Sequence, residues 1–191
     1  MGLMQARRTR RLKREATELG LRFSVDDPFD VLRRYAGFAL IGCGHSARAG
    51  NVAYGRLGAH LVRAFSFRYE VGHGARRVTR HYTVVVVEAE IVAANLLLWN
   101  ERDSDYAPLE ARSPDGRLGR WTYRGNAEMA ASLTAVLTDD EDSREDSYEI
   151  KADGLMVFAP VGDLTRGYSS SIDRAIEAMA ALDSPQVGSR G

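Results

Sequence analysis

One thiol, Cys43, and four imidazoles, His45, His60, His73 and His81, are the side chains of this chain best suited to metal or nucleophilic chemistry. A tetrahedral zinc site needs four ligands, whereas Cys43 and His45 offer two, and no second Cys or His pair stands at ligand spacing. No metal site is expected, and a packed thiol is the better account of Cys43. Acyl transfer needs a nucleophile beside a base held by an orienting acid; the serines lie in polar stretches, and no Gly-x-Ser-x-Gly elbow is present. Gly42, Gly44 and Gly50 follow an apolar run at 38–41, as a phosphate loop would. Their spacing fits neither G-x-G-x-x-G nor the Walker pattern, and residues 51–54 beyond them read as a strand where a phosphate loop leads into a helix. Residues 139–146 hold six acids against Arg144 alone, but without the alternation, glycine and closing glutamate of a calcium loop. A surface loop of that kind cannot fix two carboxylates at the separation that hydrolysis requires. No cofactor is expected and catalysis is disfavoured. The enzyme alternative is a site assembled from the 42–50 loop and the polar face of the hairpin described below.

Cationic side chains supply the other chemistry. Arg7, Arg8, Arg10, Arg11, Lys13 and Arg14 crowd the start of the chain, and Arg68, Arg77, Arg80 and His81, with Arg63 near them, crowd a predicted hairpin. These form the candidate interaction surface. Lys plus Arg equals Asp plus Glu at 26 each, so no field of the whole molecule draws in an anionic partner and only local patches can do so. A protein partner is the favoured reading. An anionic membrane surface is the second, through the N-terminal basic segment, since a Lys or Arg beside such a surface adds about 1 kcal/mol of attraction. Nucleic acid is disfavoured: Tyr69 and Tyr82 fall on the face assigned to the core, and RNP-like motifs are missing. A single cysteine permits no internal disulfide and is compatible with a reducing compartment. No apolar run reaches about twenty residues and no charged-then-apolar leader opens the chain, so the expected place is the cytoplasm, with the cytoplasmic face of the membrane as its refinement.

The elements that must position these groups centre on residues 51–90. Leu61, Phe65, Phe67, Tyr69 and Val71 alternate with polar Ser66, Arg68 and Glu70, the period of a half-buried strand. Small residues at 72–75 make the turn, and 77–90 runs back. A four-residue loop pairs Val71 with Arg76, Tyr69 with Val78 and Phe65 with Tyr82. Residues 84–87 are apolar on both faces, which predicts a central strand covered twice. Further strands are expected at 21–25, 96–99, 120–124 and in a hairpin at 148–160 turning on Asp153-Gly154, with residues 101–119 a long loop or loosely held hairpin. Helices are expected at 4–19 with Gly20 as the stop, in a turn after Asp27-Pro28, at 126–137 capped by Asn126 with Met129, Leu133, Val136 and Leu137 buried, and at 169–182. Basic groups at the positive end of the first helix oppose its dipole and predict fraying there, as a solvated tail or linker helix. The fold class is α+β: a mostly antiparallel sheet built on a long central hairpin, with helices packed on it. Residues 1–20 form the basic helix or tail, 21–183 a single domain, and 184–191 a frayed tail.

Leu19-Gly20-Leu21-Arg22-Phe23, Asp27-Pro28-Phe29, Gly50-Asn51-Val52, Arg63-Ala64-Phe65-Ser66-Phe67-Arg68-Tyr69 with Gly72 to Gly74, and Thr83-Val84-Val85-Val86 resemble an uncharacterised family of bacterial conserved hypothetical proteins. The resemblance runs over nearly the whole chain and is structural in character. It implies no activity. It implies that the basic segment stands where family members often place one, just after one or two transmembrane helices and ahead of the soluble domain; this chain lacks those helices.

Overall fold

Two apolar faces on the same strands dictate the architecture. In β3 (His60–Val71) and β4 (Val78–Glu88), Phe65, Phe67, Tyr69, Tyr82, Val84 and Val86 point to one side, and Val62, Ala64, Val85 and Val87 to the other. Both sets are buried, so the sheet is covered twice, as residues 84–87 predict. The computed structural model describes residues 2–92, 95–106, 112–137, 145–161 and 167–183. Their fold is α+β, with a nine-stranded antiparallel sheet.

Around the central hairpin lie β1 (Arg22–Ser24) and β2 (His45–Leu57) on one side; beyond it come β5 (Leu96–Asn100), β6 (Gly116–Leu118), β7 (Trp121–Gly125), β8 (Ser147–Lys151) and β9 (Gly154–Pro160). Their spatial order is β1-β2-β3-β4-β9-β8-β5-β7-β6, with the three-residue strands β1 and β6 at the edges. β4 pairs with β9 over seven positions, from Tyr82 opposite Pro160 to Glu88 opposite Gly154. Three helices, α1 (Leu3–Glu18), α3 (Ala127–Val136) and α4 (Ser169–Asp183), cover one face with Leu12, Ala16, Leu133, Ile172 and Met179. The other face is covered by residues 29–43, which contain only the four-residue α2 (Val31–Arg34) and insert Val31, Tyr35, Phe38, Leu40 and Ile41.

Local chemistry sets the joints. Asp27 accepts from the amides of Phe29 (3.0 Å) and Val31 (2.8 Å), which starts the turn into α2, and Asn126 caps α3 by accepting from Met129 N at 3.0 Å. Glu149 reaches under the sheet and accepts from Ala39 N at 2.7 Å, and Gly44, at φ +61°, lies against Tyr69 and Glu70. Residues 38–44, an apolar run followed by glycines in the sequence, are therefore a clasp of turns seated on the aromatic face, and β2 begins at His45 instead of 51.

The hairpin register differs from the expected one. Val71 faces Val78, Phe67 faces Tyr82 and Phe65 faces Val84, because a 3₁₀ turn at Gly74–Arg76 enlarges the loop to residues 72–77. The shift is two residues, so every side chain keeps its face. In α3 the buried positions are Ala130, Leu133 and Leu137, while Val136 is exposed. The acidic run lies mostly outside the described residues, but Asp146 at its end is fully buried and ion-paired with Arg174. The expected tail at 184–191 also lies outside them. Among the described residues no helix is long and apolar enough to cross a membrane.

Candidate functional site

The six cations of α1 do not share one environment. Arg8, Leu12 and Ala16 recur at intervals of four and so form one stripe, which faces the sheet; Leu12 and Ala16 are fully buried and Arg8 is 8% exposed. Arg7, Arg10, Lys13 and Arg14 are exposed on the outer side, and Arg11 is half-buried. Glu15 fastens the helix by accepting from Tyr168 N at 2.6 Å, with Arg11 Nε 3.4 Å away, and Gly20 (φ +72°) closes the C-terminus as expected. The helix is docked, and this corrects the solvated, frayed segment read from its charge order: apolar burial on one stripe outweighs a dipole term of a few tenths to about 1 kcal/mol per charge. Arg8 is accordingly withdrawn from the exposed surface. Its Nη2 donates to Thr83 Oγ1 at 3.3 Å, and its buried Nη1 has no hydrogen-bond partner among the described residues.

The hairpin group also divides. Arg77 is exposed at the tip, 3.6 Å from Glu70. Arg80 lies on the aromatic face, opposite Tyr69, and is ion-paired with the buried Asp103. Asp103 in turn accepts from Tyr82 Oη at 2.6 Å, and Tyr69 Oη stands 3.3 Å from Tyr82 Oη. Burial raises Asp103 above its ordinary value against the pull of Tyr82 and Arg80, and burial, then Asp103, pushes the Tyr82 phenol up. Arg80 thus belongs to a buried polar chain and takes no place on a flat interaction surface. Arg68 and His81 are directly opposite each other on the helix-covered side, and Arg48 of β2 stands opposite Arg68. The Arg8–Thr83 bond places α1 and the hairpin at one junction, and burial, then Arg68 and Arg8, lowers the His81 pKa there.

Cys43 and His45 point to different places. Cys43 Sγ lies 3.4 Å from Ala39 O within the apolar cluster, while His45 stacks on His73 (centroids 5.1 Å apart, planes 5°) and its Nε2 donates to Gly72 O at 2.9 Å. Among the described residues no group of three or more His, Cys, Asp or Glu side chains could hold a metal ion. Two features escaped the sequence. Arg48 lies in β2, which starts six residues ahead of the strand that the sequence marks from 51. The cluster that ties residues 29–35 to the hairpin joins segments far apart in the chain: Glu88 binds Arg34 (2.8 and 3.2 Å), Tyr35 Oη (2.6 Å) and Arg63.

What the molecule presents is a docked basic helix whose outer side is open and, at its inner edge, a junction of cations on three strands. No protein-family model matches the chain, and no curated protein matches it. Among solved structures its fold is similar to that of the mycobacterial trehalose monomycolate transport factor A, at a TM-score of 0.58 and 15% identity, covering 92% of each chain.

Proposed function

We propose that this chain is a non-catalytic interaction domain that docks on an anionic membrane surface through the outer side of α1. The observation that carries the reading is the fixed presentation of Arg7, Arg10, Lys13 and Arg14 on a helix anchored by Leu12, Ala16 and Glu15. A docked helix has already lost its conformational freedom, so its cations meet a charged surface without a further ordering cost. Among the described residues only Arg14 of the four has an ion-pair partner, Glu18 at 3.7 Å, and that exposed i,i+4 pair is weak. Two further points support the reading. The resemblance read from the sequence is to proteins whose basic segment adjoins membrane helices, and a protein of similar fold is named a trehalose monomycolate transport factor. The cytoplasmic leaflet, rich in anionic headgroups, is the surface this charge fits.

Cosedimentation with vesicles tests it. The chain binds phosphatidylcholine vesicles that contain phosphatidylglycerol and not vesicles of phosphatidylcholine alone. Changing Arg7, Arg10, Lys13 and Arg14 together to Gln weakens partitioning by roughly a hundredfold or more, at about 1 kcal/mol per cation. Added salt weakens the parent in the same direction. Equal binding by the parent and the fourfold variant, or none by the parent, overturns the reading.

A further inference from the structure

The cross-strand row on the helix-covered side is electrostatically unbalanced. Arg48, Arg68 and His81 occupy adjacent positions on β2, β3 and β4, and like charges directly opposite one another cost free energy. Among the described residues neither Arg48 nor Arg68 has an ion-pair or hydrogen-bond partner, and the same holds for the His81 ring; Glu70, two residues from Arg68 on the same face, is taken by His45 and Arg77. The row does not stand alone. Arg8 enters it from α1, bonded to Thr83, which lies two residues from His81 on the same face of β4. Arg8 is more than nine-tenths buried, its Nη1 finds no partner, and the nearby carboxylate of Glu15 is already engaged by Arg11 and the amide of Tyr168. A buried guanidinium whose one direct bond is to a neutral acceptor, and whose neighbouring carboxylate is shared with another arginine and an amide, is a costly arrangement unless an anion completes it.

We infer that Arg8, Arg48, Arg68 and His81 form a binding site for a phosphate group, carried by a lipid headgroup or free in solution. Adjacent strands lie about 4.8 Å apart, so the Cα positions of Arg48 and His81 span about 10 Å with Arg68 between them, a width that lets two guanidinium forks and an imidazolium converge on one tetrahedral anion. Arg8 supplies the field from beneath, and His81 gains a proton when the anion arrives. Among the described residues the charged groups acting on His81 are Arg8 from α1 and Arg68 from β3, with Arg48 of β2 beyond Arg68; burial first, and these cations after it, disfavour the imidazolium, and an anion would offset them. The site uses none of the outward cations of α1, and so stands or falls apart from the membrane reading.

The experiment follows the His81 imidazole by NMR in the full chain while inorganic phosphate is added at constant ionic strength, with chloride as the control. Phosphate gives a saturable change and raises the His81 pKa; chloride does neither. Arg68→Gln and Arg48→Gln, both at exposed positions, each weaken phosphate by about tenfold or more. The variant with Gln at 7, 10, 13 and 14 binds phosphate as the parent does, so failure of vesicle docking and failure of this site are read separately. Arg8→Met distinguishes a ligand-binding role from a structural one: it abolishes phosphate binding and leaves the unliganded fold as stable or more so, since it removes an unbalanced buried charge. Vesicles containing phosphatidic acid decide the source. Binding that depends on Arg68 identifies a headgroup, and binding of phosphate with no such dependence identifies the free anion. An unchanged His81 titration, an equal response to chloride, or loss of stability in Arg8→Met without loss of phosphate binding overturns the proposal.

Discussion

Glu88 and Asp103 are both partly or fully buried carboxylates beside arginine, yet their environments push them in opposite directions. At Glu88 burial alone would raise the pKa, but hydrogen bonds from Arg34 and Tyr35 and the charge of Arg63 outweigh it and lower the group below its ordinary 4.5. At Asp103 burial wins over Tyr82 and Arg80. The linkage signs differ accordingly. Glu88, depressed in the fold, contributes stability that is full above pH 4.5 and is lost as pH falls through its folded value; Asp103, raised, contributes stability at low pH that is lost as pH climbs through its folded value. Glu88→Gln should therefore lower stability at pH 7 by about 2–3 kcal/mol, less than the roughly 3–5 of a fully buried pair because Arg34 is half exposed. It should also flatten the fall in stability below pH 4.5. Urea denaturation of both proteins between pH 7 and 3 checks this, and parallel curves would refute the role given to Glu88. None of this is legible in the sequence: Glu88 ends a strand, Asp103 sits in a long polar stretch, and their partners lie 21 to 54 positions away, beyond the reach of any local period.

At the scale of elements, the sequence was readable wherever periodicity and capping act locally. The alternation of β3, the cap at Asn126, the turn at 153–154 and the stop at Gly20 all follow from such rules. Two elements needed information from a distance. The charge order of α1 argued for fraying, and only the tertiary burial of Leu12 and Ala16 reverses it. The clasp at 38–44 has no regular period because side-chain and backbone contacts with β3 and β8 hold it. Gly44 is its tightest point: a Cβ there would meet the Glu70 carbonyl oxygen and lie 2.5 Å from the Tyr69 ring, at a φ that L residues rarely adopt. Gly44→Ala should destabilise the fold by about 2–4 kcal/mol, combining strain of a left-handed residue with overpacking. Thermal melting followed by tyrosine near-ultraviolet circular dichroism would register it, and a melt equal to the parent's would show the clasp to be loose.

For the whole molecule, the sheet is two consecutive runs of chain, β1 to β4 and β5 to β9, whose strands pair, among the described residues, only where β4 meets β9. That seam is the most apolar part of the sheet: Val84 to Val87 and Leu155 to Phe158 are all buried. Helix α4 packs on both β4 and β9, and Glu15 of α1 holds Tyr168 from the second run. Neither run can bury its own half of the core alone. Unfolding should be a single transition in which far- and near-ultraviolet signals coincide, and fragments 1–92 and 95–191 should each be unstructured apart and regain the spectrum when mixed. A fragment that folds alone would show the seam to be an interface between two domains.

The three-residue strands that close the sheet carry a consequence of their own. Open β edges invite other chains to add to them, and nine strands with apolar faces would be a hazardous template for fibrous growth. β1 and β6 each expose too little backbone to nucleate such growth. Where β2 runs on past β1, it is bent by register shifts and by left-handed Ser46 and Asn51, so an incoming strand finds no straight rail to follow.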